Sequence, residues 1–173
     1  MGESFAHWLA RRRVALGFLV AVATLLLARP TWMTWRTGLA IAVVGEAVRI
    51  WAAGHLEKSR EVTRSGPYRW TRHPLYVGST IMALGIVVAS RSVIVTALAA
   101  VYMASTLTAA IRTEEAFLTR AFGDAYDQYR AARAEPMRRR FSLGRVMHNR
   151  EYRAAAGLAG GFALLALKAI GYL

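Results

Sequence analysis

The sequence predicts an all-α protein, a polytopic bundle of about five transmembrane helices with one further amphipathic helix at the membrane surface. Hydrophobic residues make up 55% of the 173 residues, yet the formal net charge is +13. The apolar residues are collected in five runs, and the basic residues lie mostly between them. This segregation is typical of an integral membrane protein. We find no repeat or linker that divides the chain, so residues 1–173 are interpreted as a single domain.

The five apolar runs are residues 14–28, 38–53, 75–89, 92–111 and 154–173. About 20 residues are needed to span the hydrocarbon core, and two of the runs are near that length. The first run is shorter, but the arginines at 11–13 can reach the interface before it, and Trp32 and Trp35 can anchor the chain after it. A cleaved signal peptide is the alternative for this run, although residues 25–28 contain no small-x-small cleavage site.

Residues 113–133 predict a helix of a different kind. Aromatic and apolar residues recur there at three- and four-residue spacing, whereas the opposite face is polar. The apolar positions are Phe117, Leu118, Phe122, Tyr126 and Tyr129. We interpret this segment as a cytosolic or interfacial helix that folds back on the bundle, the alternative being that its tyrosines only anchor it among the headgroups. In the last run, Gly157, Gly160 and Gly161 would allow close packing on a neighbouring helix, the alternative being that they only reflect a chain rich in alanine and glycine.

The charge distribution predicts the orientation. Most of the 23 Lys and Arg residues lie in segments 1–13, 54–73 and 112–153, which five spans would place on one side of the membrane. By the positive-inside rule that side, with the N-terminus, is cytoplasmic. Because the basic residues flank membrane spans, nucleic acid is not an expected partner. The chain has no cysteine, which excludes a disulfide framework, a thiolate metal site and a nucleophilic thiol.

Glu46 and Arg49 are ionisable residues three positions apart inside the second run. They share one face of a helix, and a charge in a membrane span indicates a functional site by default. A structural ion pair between helices is the alternative.

Residues 65–78, SGPYRWTRHPLYVG, stand at the start of the third run. Gly66 and Pro67 indicate a turn, and Pro74 suits the first turn of a helix. Free backbone N–H groups, the positive end of the helix dipole, and the side chains of Arg72 and His73 would meet there. The pattern predicts a receptor for a carboxylate or phosphate, the alternative being ordinary contacts with lipid headgroups.

The string G-P-Y-x-x-x-R-H-P-x-Y-x-G runs from Gly66 to Gly78. It is followed by R-T-E-E from Arg112 and by F-G-x-x-Y-x-x-Y ending at Tyr129. This ordered set, within a core region of residues 45–130, resembles the isoprenylcysteine carboxyl methyltransferase and phospholipid methyltransferase group of integral membrane enzymes. The resemblance implies a membrane-embedded site for S-adenosyl-L-methionine without a Rossmann sheet, and no G-x-G-x-x-G contradicts it.

The resemblance also implies roles for single residues. The cofactor would lie between segment 54–78 and the helix near Glu114, held by His55, Val62, Thr63, Tyr68, His73, Pro74, Leu75, Tyr76, Glu114 and Glu115, with Glu114 and Glu115 as alternatives for one contact. Arg49 or Arg112 would orient the acceptor, with Glu46 beside Arg49 completing the catalytic set. No metal is implied. The acceptor would be a lipophilic molecule entering from the bilayer, either an isoprenoid or prenylcysteine-like carboxylate or another lipid.

The chain departs from the family pattern after Tyr129. It lacks the V-P-R-F-like end and adds the apolar run 154–173. Two other interpretations stay open from the sequence. One is a membrane sterol or enone reductase, which carries a similar R-H-P-x-Y-x-G string beside NADPH, although the residues around that string differ here. The other is a non-catalytic membrane scaffold in which the polar residues only pair helices.

Overall fold

The computed structural model describes the backbone of residues 2–171 and the side chains of residues 15–171. Within this part of the chain all regular structure is helical, which confirms the predicted class. A short 3-10 helix, Gly66–Arg69, lies between the second and third of seven α-helices. These are α1 Gly2–Leu27, α2 Trp32–His55, α3 Pro74–Ser90, α4 Val93–Phe122, α5 Asp124–Arg130, α6 Leu143–His148 and α7 Tyr152–Ala169. The predicted anchoring by the arginines at 11–13 concerns side chains outside the described residues.

Each of the five apolar runs lies largely within one of these helices, namely α1, α2, α3, α4 and α7. Among the described residues, two helices are long and apolar enough to cross a membrane, Trp32–His55 and Val93–Phe122. The apolar helices Ala15–Leu27 and Pro74–Ser90 are shorter. The count of five spans therefore stays a prediction, while two candidate spans are present.

Helices α2 and α3 pack closely because small residues face each other along both. A Cβ atom added to Gly45 would lie 2.7 Å from the carbonyl oxygen of Gly78, and one added to Gly78 would lie 2.7 Å from that of Gly45. Two turns earlier in α2 and two turns later in α3, Gly38 and Gly85 approach each other in the same way. Small residues that let two backbones approach are characteristic of helix pairs in membranes. This contact sets the position of Arg49 relative to the start of α3.

At the end of the bundle away from the polar loops, hydrogen bonds join the remaining helices. Thr31 and Thr34 form a capping box at the start of α2. The indole N–H of Trp35 donates to the carbonyl of Phe162 at 2.8 Å, and the Lys168 ammonium donates to the carbonyl of Leu26 at 2.9 Å. Since Leu26 lies in the last turn of α1, the lysine satisfies a carbonyl that has no partner within that helix.

The opposite end of α2 is capped by the segment between α5 and α7. Asn149 Nδ2 donates to the carbonyls of Ala53 at 3.0 Å and Leu56 at 3.1 Å. Arg145 Nε donates to the carbonyl of Gly54 at 2.7 Å. Cationic and amide donors at a helix C-terminus satisfy its free carbonyls and oppose the negative end of the dipole. Residues 139–151 are thus built onto the end of the bundle where the polar loops lie.

Two predictions about elements were wrong. The helix of the run 92–111 was expected to end before a separate helix over 113–133, but it continues without a break to Phe122, because no glycine or proline interrupts it before Gly123. The part of residues 113–133 that forms a helix of its own is α5 alone. Tyr126 on α5 is fully buried, whereas Phe117, which belongs to α4, is 42% exposed. In addition, a Cβ atom on Gly157 or Gly160 would meet nothing within 4 Å among the described residues, so these glycines mediate no close helix contact there.

Candidate active site

A cavity of about 550 Å³ lies where the ends of α2, α3 and α4 meet the loop between α2 and α3. Arg49 reaches it from α2, Leu75 and Tyr76 from the first turn of α3, and Tyr129 from α5. The loop after α2 contributes residues 56–59 and 61–63, and α4 contributes residues between Thr106 and Leu118. The segments that carried the sequence motifs therefore converge on one cavity.

The predicted site residues divide into two groups by their position relative to this cavity. Those that line it are Arg49, Val62, Thr63, Tyr68, Leu75, Tyr76 and Glu114. Those that do not are Glu46, His55, His73, Pro74, Arg112 and Glu115. Arg112 is exposed on α4, and Pro74 is fully buried at the first position of α3.

The neighbouring carboxylates Glu114 and Glu115 face different surroundings. The Tyr76 hydroxyl donates to Glu114 Oε2 at 2.7 Å, and both residues line the cavity. Glu115 instead lies 3.1 Å from His73 Nε2 and 3.2 Å from Arg72 Nη1. The geometry favours Glu114 as the carboxylate that can meet a ligand, whereas Glu115 joins α4 to the start of α3.

The anion receptor expected at the start of α3 is already occupied by the protein. The backbone N–H groups of Tyr76 and Val77 donate to the carbonyl of His73 at 3.0 and 3.1 Å, and Pro74 has no N–H. The side chains of His73 and Arg72 both pair with Glu115. The expectation of several free donors at this point is therefore corrected, because Glu115 supplies the anion.

Two tyrosines hold the loop between α2 and α3 against α5. This loop, residues 56–73, carries most of the sequence motif and is called the motif loop. The Tyr129 hydroxyl donates to the carbonyl of Tyr68 at 2.7 Å. Burial raises the pKa of Tyr129 to about 12 and raises the pKa of Tyr68 well above its usual range. Both hydroxyls are therefore neutral at physiological pH and available as donors.

His55 positions the loop and does not touch the cavity. Its Nδ1 lies 3.1 Å from the Ser65 hydroxyl, and the residue is buried. Gly66 has a φ of +56° and lies against the imidazole, so closely that an added Cβ atom would lie 2.6 Å from the ring Cγ. Glycine is the residue that tolerates both this backbone conformation and this contact. The G-P-Y motif therefore starts where it does because His55 fixes it.

Arg49 is the centre of a buried ionic cluster that includes a carboxylate the sequence did not indicate. Its Nε lies 2.5 Å from Glu151 Oε1 and 3.8 Å from Glu46 Oε2. Its Nη1 donates to the Ser79 hydroxyl and to the carbonyl of Leu75, the latter at 3.4 Å. Glu151 is 6% exposed and stands immediately before α7, where its side chain makes no capping hydrogen bond to the helix. The sequence signal for Glu151 was that it is an acidic residue just before an apolar run. Its partner Arg49 could not be inferred, because the two are 102 positions apart.

Other cavity residues also escaped the sequence analysis. Glu61 lines the cavity and is held by Arg139, whose Nη1 lies 2.6 Å from its Oε1. Thr106 lies on α4, within an apolar run where the sequence pattern indicated only a membrane span.

An apolar groove of about 440 Å³ adjoins the cavity on the side of α1. It lies between α1 and α4 and is lined by Gly17, Phe18, Ala21, Tyr102, Thr106, Leu107 and Ala110. Thr106 and Ala110 line the polar cavity as well. Phe18 is 70% exposed, so the groove faces outward from the bundle. A polar cavity and an apolar groove therefore share one wall.

The model of the phospholipid methyltransferase family matches residues 13–125, well over half of the chain. The chain belongs to the phospholipid methyltransferase family. Membership points to a methyltransferase, and together with the two apolar helices it points to a membrane protein. The matched range contains every residue that lines the cavity except Tyr129. Glu151, the partner of Arg49, also lies outside this range.

Three curated relatives resemble this phospholipid methyltransferase family member over parts of their length. A cobalt-zinc-cadmium resistance protein from Cupriavidus metallidurans is 33% identical over 70% of this chain and 62% of its own. A nickel-cobalt-cadmium resistance protein from Alcaligenes xylosoxydans xylosoxydans is 35% identical over 53% of this chain and 42% of its own. A protein-S-isoprenylcysteine O-methyltransferase from Schizosaccharomyces pombe is 34% identical over 53% of this chain and 39% of its own.

The last relative and the family match confirm the resemblance found in the sequence motifs. The chain spans less than two thirds of the length of each of these relatives. No solved structure matches the chain significantly.

Proposed function

We propose that this protein transfers a methyl group from S-adenosyl-L-methionine to a lipophilic acceptor that enters from the membrane. The observation that carries the proposal is the shared wall of the polar cavity and the apolar groove, formed by Thr106 and Ala110 on α4. A water-soluble methyl donor and an apolar acceptor need separate routes to one point. Family membership supports the reaction class.

The residues of the cavity fit the proposed cofactor. A volume of about 550 Å³ is within the range of roughly 300–1,000 Å³ that is usual for small-molecule sites. The cofactor carries an ammonium, a carboxylate, ribose hydroxyls and a sulfonium. Glu61 and Glu114 would accept hydrogen bonds from the ammonium or ribose, and Leu75 and Phe117 would face apolar parts. Arg72 also lines the cavity; its Nη1 is held by Glu115, and its other N–H groups would meet the cofactor carboxylate. His73 and Glu115, which do not line the cavity, would hold these cofactor-binding side chains in position.

When bound, the cofactor supplies a methyl group on a positively charged sulfur, which a nucleophilic atom of the acceptor can attack directly. The chain then needs mainly to orient the two molecules and to exclude water. Arg49 is suited to orienting the acceptor through Nη2, because its Nε and Nη1 are held by Glu151, Ser79 and the carbonyl of Leu75 and fix the plane of the guanidinium. Glu46 and Glu151 would keep that guanidinium in place. Arg112, which is exposed, is the second choice.

The acceptor that we propose is a class of molecule, either a prenylcysteine-like or isoprenoid carboxylate or another lipid. Two relatives are named for metal resistance. In the part of the chain that the structure describes, no three His, Cys, Asp or Glu residues are grouped as metal ligands, and the proposal gives these relatives' metals no role. The reductase and scaffold interpretations are not proposed, since the family match points to methyl transfer.

The first test is Glu114→Gln, which removes the charge but not the shape of a carboxylate in the cavity. Binding of S-adenosylhomocysteine to purified protein in detergent, measured by calorimetry, should weaken about tenfold or more, since a charge-assisted hydrogen bond is lost. The matched control is Asp127→Asn, which changes a half-exposed carboxylate on α5 outside the cavity and should leave binding unchanged.

The same preparations are then assayed for methyl transfer from labelled S-adenosylmethionine to a lipid extract. The proposal expects wild-type protein to label a lipid-soluble product and Glu114→Gln to do so more slowly. Binding of NADPH in place of S-adenosylhomocysteine would contradict it, as would equal binding by both variants.

A further inference from the structure

Two adjoining clefts lie on the surface between the motif loop and the chain that follows α5. One has a volume of about 640 Å³ and the other about 630 Å³, and Arg69 and Pro136 line both. Together they form a surface that we call the arginine cleft. Seven different arginines line it, and neither lining includes an Asp or Glu residue. Like charges gathered in a concave surface produce a strong positive potential.

The arginines of the cleft differ in whether the protein neutralises them. Arg72, Arg130 and Arg139 each pair with a carboxylate within 4 Å, namely Glu115, Asp127 and Glu61. For Arg64, Arg69, Arg138 and Arg140, no carboxylate of a described residue lies within that distance. The buried Nε atom of Arg64 also has no hydrogen-bond partner among the described residues. Arg69, Arg138 and Arg140 are exposed and thus solvated, whereas the buried Nε of Arg64 is a donor that costs free energy unless a ligand accepts from it. The cleft therefore holds three unpaired cations that a ligand can reach and one buried donor that a bound anion would satisfy.

The aromatic residues beside the cleft indicate where it lies relative to a bilayer. Trp70 lines the cleft and is 75% exposed. Its ring centroid lies 5.5 Å from that of Trp51, which is on the last turns of α2 and is 39% exposed. Exposed tryptophans at the end of an apolar helix are characteristic of the headgroup level of a membrane. Next along the chain from Arg140, Phe141 and Leu143 are exposed as well, at 43% and 69%.

We propose that the arginine cleft binds the phosphate of an anionic phospholipid headgroup. The shared chemistry is phosphate recognition, for which arginine is favoured because its guanidinium makes two parallel hydrogen bonds to phosphate oxygens. The level of Trp70 favours a lipid as the source over a free phosphate, because the headgroup layer presents phosphates at that height. Tyr68, Arg72 and Tyr129 line both the cleft and the methyl-transfer cavity. The four arginines without a carboxylate partner, to which we assign the phosphate, line only the cleft, so this assignment does not depend on the proposed function.

The test compares short-chain lipids that differ only in headgroup charge. Wild-type protein in neutral detergent is titrated by calorimetry with dioctanoyl phosphatidylglycerol, dioctanoyl phosphatidylcholine and inorganic phosphate. We expect phosphatidylglycerol to bind at least about tenfold more tightly than either of the others, and raised salt to weaken its binding. Phosphate binding as tightly as phosphatidylglycerol would overturn the assignment to a lipid.

The variant R69Q/R138Q removes two unpaired cations of the cleft and should weaken phosphatidylglycerol binding about tenfold or more. The matched control is R29Q/R36Q, which removes two positive charges at the other end of α2 and should bind as wild type. If the double variant does not fold, R69Q and R138Q are tested singly, each expected to weaken binding severalfold. Equal binding by the cleft variants and the control would overturn the proposal.

Discussion

Arg49 shows how far a single residue could be interpreted from the sequence. A charge inside an apolar run indicated a site, and the spacing to Glu46 indicated a pair. The structure adds that neither carboxylate oxygen of Glu46 has a hydrogen-bond partner within the described residues, and that the closer partner of Arg49 is Glu151. The second carboxylate could not be predicted, because the packing of distant segments brings it to α2.

At this scale we predict that Arg49→Lys keeps the fold and the affinity for S-adenosylhomocysteine but lowers turnover about a hundredfold. Lysine keeps the charge, yet its single ammonium cannot replace a planar guanidinium that is held by Glu151 and Ser79 on one side and contacts the acceptor on the other, and loss of a positioning contact has effects of this size. Turnover is measured by transfer of labelled methyl to a lipid extract, beside a binding titration. Arg36→Lys, on the exposed face of α2 at its other end, is the control.

Full turnover by Arg49→Lys would assign Arg49 to the structural ion pair and leave Arg112 as the candidate for the acceptor. Arg49→Ala serves a different purpose. It should lower the free energy of unfolding by about 3–5 kcal/mol, since it leaves Glu46 and Glu151 buried without their cation.

The choice between Glu114 and Glu115 was also beyond the sequence. Successive residues of a helix point about 100° apart, so one of two neighbours faces a cavity and the other does not. Which one does so depends on the rotation of α4 against α3, and only the contacts with Tyr76 and His73 reveal it.

At the scale of the elements, the close contact between α2 and α3 leads to a prediction about stability. Gly45→Ala should lower the free energy of unfolding by about 1–3 kcal/mol, because the added methyl would lie 2.6 Å from the backbone nitrogen of Met82 and neither backbone can move aside easily. Thermal unfolding in detergent measures the change. Gly157→Ala is the matched control, since its methyl would meet open space and alanine favours a helix, so no loss is expected.

A loss of stability in both glycine variants, or in neither, would show that close approach of α2 and α3 is not what constrains Gly45. The sequence predicted the helices themselves well, since apolar runs bounded by Arg, Pro and Gly define them. It misplaced the close-packing glycines, because composition marks small residues without showing which face meets a neighbour.

For the whole molecule, orientation in the membrane is the open prediction. The chain lacks cysteine, so single cysteines can be introduced without a background. Arg91→Cys should be labelled by an impermeant thiol reagent on intact cells, and Arg140→Cys only after permeabilisation, because most basic residues are assigned to the cytoplasmic side. The reverse pattern of labelling would contradict the orientation, and identical labelling at both positions would contradict the single span predicted between them.

At the same scale, the all-helical class and the family followed from the sequence, since both depend on local patterns and on motif order. The attachment of residues 139–151 to the end of α2 did not. Arg139, Arg145 and Asn149 bind carbonyls more than 80 positions earlier in the chain, and a surplus of basic residues in a loop does not reveal such partners.

That attachment has a consequence for the order of biosynthesis. Domains are made from the N-terminus, so α2, α3 and α4 leave the ribosome before the segment that caps α2 exists. Until residue 151 has been translated, Arg49 lacks Glu151, Glu61 lacks Arg139, and the carbonyls at the end of α2 lack their side-chain donors. The nascent protein therefore acquires a finished cavity only after residue 151 has been translated, when α2, α3 and α4 can already be inserted.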